Sequence, residues 1–181
     1  MRKLIITEFM SMDGVMEDPH KWSFDFWNDE ATKYKHDELF ATDALLLGRV
    51  TYDVFAESWP SRTDDTGFAD RFNSIPKYVA TRTLDSLDWT NSRVIEGDVA
   101  QEVSRLKEEP GQSIAVHGSL TLGRYLMEHD LVDEYRLMIF PVVLGRGKRL
   151  FDDSINKKVF KLADSQVFAT GVIAQSYEPA K

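Results

Sequence analysis

The stretch Leu45-Leu46-Leu47-Gly48-Arg49-Val50-Thr51-Tyr52 decides how the chain is read. An apolar run stops at a glycine, and an arginine and a threonine follow before an amphipathic segment begins. This pattern predicts a buried strand, Asp43–Leu47, running into a helix over Val50–Ala56. Glycine allows a ligand to approach the backbone, the first helical N–H groups point outward, and Arg49 adds a fixed positive charge. Such a combination suits phosphate. The same residues would also serve as a plain helix cap beside a core strand, so the rest of the chain has to discriminate.

Working outward, Lys3–Phe9 reads as a central strand, and Met10 to about Trp27 as a long irregular segment with a turn at Asp13-Gly14. That segment holds Pro19, Trp22, Phe24, Phe26 and Trp27, which either patch the core edge or cover a functional surface. Asn28 or Asp29 caps a helix running to about Ala41. On the other side of the opening stretch, Ser58 to about Ala69 is polar and turn-rich. Lys77–Ala80 and Arg93–Glu96 read as short strands, and the first ends in Thr81-Arg82-Thr83. Asp98 caps a helix with Val99, Val103 and Leu106 along one stripe. Ser113–Val116 is a further buried strand ending in His117-Gly118-Ser119, followed by a helix from Leu120 to near Asp130. Asp133–Phe140 reads as a strand, Leu144–Lys148 as a glycine-rich turn, and Val159–Tyr177 as a β-hairpin bending near Asp164-Ser165.

Strands alternate with helices and an antiparallel pair closes the chain. The expected fold class is therefore α/β, a three-layer sandwich whose mostly parallel sheet is flanked by helices and ends in a C-terminal antiparallel β-hairpin. No repeat or linker interrupts it, so residues 1–181 read as one domain, long enough to bury about 70% of its unfolded surface. Ligands of such sheets bind at the carboxyl ends of strands. Three strand ends here carry phosphate-binding chemistry: Gly48-Arg49-Val50-Thr51, Thr81-Arg82-Thr83 and Gly118-Ser119.

Other chemistries are excluded or weakened. A formal net charge of −8 argues against a nucleic-acid groove. With no cysteine, disulfides and thiolate metal sites cannot form, and a reducing cytoplasm is the expected location. The apolar start breaks at Glu8, too early for a signal peptide or a membrane span. His20, His36, His117 and His129 lie too far apart for metal-ligand spacing, so no metal is expected, and His117, at a strand end, could face the ligand but reads better as a hydrogen-bonded structural histidine. Gly-x-Ser-x-Gly, Gly-x-Gly-x-x-Gly and Walker-type loops are absent.

The order of motifs resembles the C-terminal reductase domain of the riboflavin-biosynthesis deaminase–reductase, a branch of the dihydrofolate reductase-like superfamily. The matching residues are Ser11-Met12-Asp13-Gly14, Leu47–Tyr52, Val79–Leu84, Val116–Ser119, and Leu131 through Gly147 to Leu150-Phe151. The resemblance implies a dihydrofolate reductase-like fold and NADPH as cofactor. It places Gly48, Arg49 and Thr51 on the phosphates, with Arg49, Thr81 and Arg82 near the 2′-phosphate and Thr83 beside them. Gly118, Ser119 and Leu120 would line the pyrophosphate. Many members have a second glycine where this chain has Ser119. It further implies hydride transfer to a planar pterin- or pyrimidine-type heterocycle, with folate and the phosphoribosylamino-uracil intermediate of riboflavin synthesis as candidates. The absence of a deaminase domain from this chain counts against the second. The loop with Asp13 would act as a lid, and Trp22, Phe26 and Trp27 could stack on the acceptor. Asp29 and Glu30 are candidate proton donors, although Asp29 serves equally well as a helix cap. A homodimer is expected from the terminal hairpin, the apolar strand Leu137–Phe140 and the resemblance. A non-catalytic NADP(H)-binding sensor or partner-binding module of the same fold is the alternative function.

Overall fold

A computed structural model describes residues 1–180. Eight strands form a single mixed sheet in the order β4-β3-β2-β5-β1-β6-β8-β7. They are β1 (Lys3–Ser11), β2 (Ala44–Gly48), β3 (Lys77–Ala80), β4 (Ser92–Val94), β5 (Ser113–His117), β6 (Glu134–Phe140), β7 (Phe160–Val167) and β8 (Ile173–Pro179). Strands β1 to β6 are mutually parallel, β8 runs antiparallel to β6, and β7 runs antiparallel to β8. Five α-helices intervene: α1 (Asp29–Phe40), α2 (Arg49–Ser58), α3 (Phe68–Ser74), α4 (Val99–Glu108) and α5 (Leu120–Glu128).

Alternation along the buried strands separates two cores. Leu46, Ile114 and Val116 face Val103 and Leu106 of α4 and Leu122 and Leu126 of α5. Leu45, Leu47 and Ala115 face the opposite way, onto Leu39 of α1, Tyr52 of α2 and Phe72 of α3. A third cluster on the α1 side joins Ala31 to Met138, Phe140, Ala174 and Trp22. The layers are therefore helix, sheet, helix, as the alternation of elements predicts.

Topology fixes where a ligand belongs. The connection from β1 to β2 crosses β5 on the α1 side, whereas that from β5 to β6 crosses β1 on the α5 side. Neighbouring β1 and β5 thus send their chains to opposite faces, which opens a crevice at their carboxyl ends. Registers set the other ends beside it, with Gly48 of β2 paired to Ala80 of β3 and Leu46 of β2 to Val116 of β5.

Three expectations are corrected. The C-terminal hairpin turns over Phe168–Val172, closed by Phe168 N–H to Val172 O at 2.8 Å, and Asp164-Ser165 lies within β7 at an irregularity. Gly171, at φ 85°, supplies the left-handed residue that Asp164-Ser165 lacks. The polar segment after α2 ends in the unforeseen helix α3, whose first N–H groups, at Phe68 and Ala69, donate to Asp64 at 3.1 and 2.6 Å. Leu137–Phe140, expected at a dimer surface, belongs to interior strand β6, and Phe140 is fully buried.

Candidate cofactor site

Helix α2 starts at Arg49 and α5 at Leu120, directly after adjacent strands β2 and β5. Asn28 caps α1 by accepting from Ala31 N–H at 3.0 Å, and Asp98 caps α4 through Gln101 N–H at 2.9 Å. Among the described residues no side chain caps α2 or α5. Two positive helix ends with free N–H groups therefore converge at the strand-end crevice, an arrangement suited to an anion.

The chain path between them is tight. Gly118 and Ser119 both adopt left-handed φ angles, 54° and 62°. A Cβ on Gly118 would sit 3.3 Å from Thr51 Oγ1, and one on Gly48 would sit 3.4 Å from Ser119. Ser119 Oγ accepts from Gly48 N–H at 2.9 Å and lies 2.9 Å from Thr51 Oγ1. The serine that replaces a glycine thus closes the two loops onto each other while keeping the left-handed turn. On the rim, half-exposed Arg49 pairs with Asp53 at 2.8 Å. Thr81 Oγ1 accepts from Thr83 and Leu84 N–H groups, each at 3.2 Å, which shapes the turn that carries exposed Arg82. The structure thus gathers Gly48, Arg49, Thr51, Thr81, Arg82, Thr83, Gly118, Ser119 and Leu120 at one end of the sheet.

The residues expected on the acceptor side are placed differently. Asp13 accepts from Leu144 and Gly145 N–H groups at 3.1 and 2.8 Å and from Ser11 Oγ at 2.7 Å, and it pairs with Arg149 at 3.3 Å. These bonds, chiefly the Ser11 hydroxyl, hold its carboxyl far below the usual range. It ties the turn after β1 to the glycine-rich loop. Trp22 is buried edge-on against Phe140, with its indole N–H donating to Glu17 O at 2.9 Å. Phe26 also meets Phe140, while Trp27 lies 5.7 Å from Phe9. Trp22 therefore seals the core edge, while Phe26 and Trp27 are both half-buried against the same cluster. Asp29 is exposed in the first turn of α1. Glu30 accepts from Ala169 N–H at 2.7 Å and Asn28 Nδ2 at 2.9 Å, which lowers its pKa. A carboxylate held ionised in this way anchors the hairpin turn and has no proton to give near neutral pH.

Two buried polar groups were missed. Lys35 and Glu38 pair beneath α1, Lys35 Nζ donates to Thr7 Oγ1 at 3.0 Å, and Thr7 Oγ1 donates to Glu38 at 3.1 Å. Burial would raise the Glu38 pKa, but Lys35 beside it, with His117 and Arg136, outweighs burial and keeps the carboxyl low. His117, half-buried at the end of β5, has its pKa lowered to about 3 by desolvation and by Lys35. The second group is Glu8 on β1, 4% exposed beside Gly118. Both were readable as charges at positions where the pattern calls for apolar residues. A cleft of about 540 Å³ between α1 and the β6-β8-β7 end, lined by Tyr34, Glu38, Glu134 and Arg136 among others, excludes every residue of the strand-end group. Among the described residues no acidic or histidine cluster could hold a metal, and no helix is long and apolar enough to cross a membrane.

Residues 2–174 match the family described as the RibD C-terminal domain. The chain belongs to this family. It is a family of reductases with the dihydrofolate reductase-like fold, which binds NADP(H). The uncharacterized protein YyaP of Bacillus subtilis (strain 168) is 30% identical over 190 residues, covering 97% of this chain and 94% of YyaP. A structure assigned to riboflavin biosynthesis from Shewanella sp. PV-4 superposes with a TM-score of 0.77 at 20% identity, covering 99% of each chain. Dihydrofolate reductase from Enterococcus faecalis, solved in complex with NADP(H), gives 0.65 at 13% identity over 99% of this chain and 97% of the other. These two likenesses show the fold. The paired helix ends, and the close Gly48 and Gly118 backbone where side chains would crowd Ser119 and Thr51, fit a pyrophosphate flanked by sugars.

Proposed function

We propose that this RibD C-terminal domain protein is an NADPH-dependent reductase that delivers hydride to a planar pterin- or pyrimidine-type heterocycle. The observation that carries this reading is the convergence of two helix N-termini without a side-chain cap, at Gly48 and Ser119, on the switch-point crevice. Gly48 and Gly118 would let the pyrophosphate approach the backbone, and Thr51, Ser119 and Leu120, with the first N–H groups of α2 and α5, would hold it. Arg49 and Arg82, with Thr81 and Thr83, would meet the 2′-phosphate, because a guanidinium fork binds phosphate oxygens in pairs. When bound, the cofactor supplies the reducing equivalent. The chain's part is to position the acceptor and exclude water, and the half-buried rings of Phe26 and Trp27 would help to cover it.

A second reading, an NADP(H)-binding sensor or partner-binding module, draws support from Glu30, whose carboxylate is committed to Ala169 and Asn28. Titration of tryptophan fluorescence with NADPH, followed by NADPH oxidation at 340 nm in the presence of dihydrofolate or a phosphoribosylamino-uracil, tests both. The reductase reading predicts saturable binding and acceptor-dependent oxidation. Binding without oxidation favours the sensor, and no binding of NADPH or NADH at millimolar concentration removes both.

A further inference from the structure

Glu8 is a charge-bearing side chain that the fold does not need. It follows Thr7, which pairs with His117 as the last rung of the β1–β5 ladder, so it stands beside the Gly118 turn at the switch point. On the same face of β1, Ile6 and Met10 pack in the apolar core under α5, and an aliphatic side chain between them would complete it. Glu8 is instead 4% exposed, and its Oε1 has no hydrogen-bond partner among the described residues. Burial raises its pKa well above the usual carboxylate range; Lys35 and the Gly118 N–H act the other way, and Glu38 adds to the rise. A buried oxygen without a partner costs on the order of 1–3 kcal/mol, so its presence points to a partner that the free chain lacks.

We propose that Glu8 recognises the carboxamide of a nicotinamide ring seated at the β1/β5 switch point. A carboxylic acid presents an O–H donor and a carbonyl acceptor side by side. A primary carboxamide presents a carbonyl acceptor and an N–H donor at matching spacing, so the two close a pair of hydrogen bonds. The Gly118-Ser119 turn links this contact to the phosphate site, since the same turn lies against Glu8 and opens α5. The inference rests on the NADPH reading and names the residue that distinguishes the nicotinamide end from the adenosine end.

The test compares three ligands by fluorescence or calorimetric titration. They are NADPH, the 2′-phosphate of ADP-ribose, which lacks the ring, and reduced 3-acetylpyridine adenine dinucleotide phosphate, which replaces the amide with a methyl ketone. Wild type should bind the acetylpyridine compound about 10-fold more weakly than NADPH, the loss of roughly one buried hydrogen bond. Glu8→Leu should weaken NADPH about 10-fold, abolish that preference, and leave the ring-free ligand unchanged. Glu8→Gln also offers a donor and an acceptor and should keep NADPH within about 3-fold. Wild type that does not discriminate the two dinucleotides overturns the assignment, as does a Glu8→Leu protein that weakens all three ligands equally. If Glu8→Leu fails to fold, the wild-type comparison and Glu8→Gln still decide. A wild type that binds the ring-free ligand but gains nothing from the nicotinamide refutes Glu8 alone. One that binds none of the three refutes the cofactor reading and this inference with it.

Discussion

Replacing Arg49 with alanine should separate NADPH from NADH, and the structure bounds by how much. Among the described residues Arg49 pairs with Asp53 alone, one helical turn on at 2.8 Å, with both side chains close to half exposed. Such an i,i+4 pair contributes about 0.3–0.5 kcal/mol. A charge-assisted contact between arginine and phosphate contributes about 1.5–3 kcal/mol. Subtracting the displaced pair leaves about 1–2.5 kcal/mol, or roughly a 5- to 60-fold loss of NADPH affinity in Arg49→Ala. NADH lacks the 2′-phosphate and should change by less than about 3-fold. The companion Asp53→Asn variant removes the internal competitor, and NADPH should bind about 2-fold more tightly. Fluorescence titration of both nucleotides against the three proteins reads all of this directly. Equal weakening of NADPH and NADH in Arg49→Ala would show that the guanidinium meets a part common to both, and the 2′-phosphate assignment would fail.

Four other perturbations test the structure more broadly. Gly118→Ala places a methyl group against Thr51 Oγ1 on a left-handed residue, so NADPH affinity should fall at least about 10-fold, and an unchanged affinity would mean the turn is not at the pyrophosphate. Glu38→Ala strands buried Lys35 and should cost about 3–5 kcal/mol in urea denaturation, whereas Lys35→Met combined with Glu38→Met should cost less; additive losses would refute the coupling. His117 titrates near 3 when folded and near 6.5 when unfolded, so below about pH 6.5 the unfolded chain takes up a proton that the folded one refuses. Stability should therefore fall as pH drops from 6.5 toward 3, and His117→Asn should flatten that slope; an unchanged slope would assign it to other groups. Finally, edge strand β7 exposes Leu162 and Val167 at 49% and 68%, and we expect it to pair in a homodimer. A light-scattering mass near 20.8 kDa would exclude this.

Most of the fold was legible because its signals are local. The apolar runs Leu45–Leu47 and Ser113–Val116 are continuous because helices cover both faces of the sheet, and the caps Asn28 and Asp98 mark where α1 and α4 begin. The cofactor-side residues were legible for the same reason, since each follows its strand at once. Helix α3 was hidden because it spans only Phe68–Ser74, too short to show a period, and Asp64, the carboxylate that meets its first N–H groups, stands ahead of the Gly67 N-cap. The hairpin turn was misplaced because Asp164-Ser165 looks like a bend locally, while the register with β8 puts it mid-strand. The acceptor side resisted for a different reason. Whether Trp22 stacks on a ligand or on Phe140 depends on a partner 118 positions away, and no local pattern encodes that choice. Glu8, Lys35 and Glu38 did leave a trace, as charges within apolar stripes, but their meaning depends on what surrounds them in space.

The central place of β1 has a consequence for how the chain reaches its native state. This strand is synthesised first, yet both its neighbours, β5 and β6, come from Ser113 onward. The clasp of Asp13 onto Gly145 and Arg149 closes later still. Until roughly two thirds of the protein has emerged from the ribosome, an apolar strand with two bare edges must wait. Pairings this distant in sequence are slow and prone to aggregation. Substitutions within β6, Glu134–Phe140, which lies away from the strand-end cofactor residues, should therefore appear first as lost soluble yield during expression, with normal nucleotide affinity in the molecules that do fold.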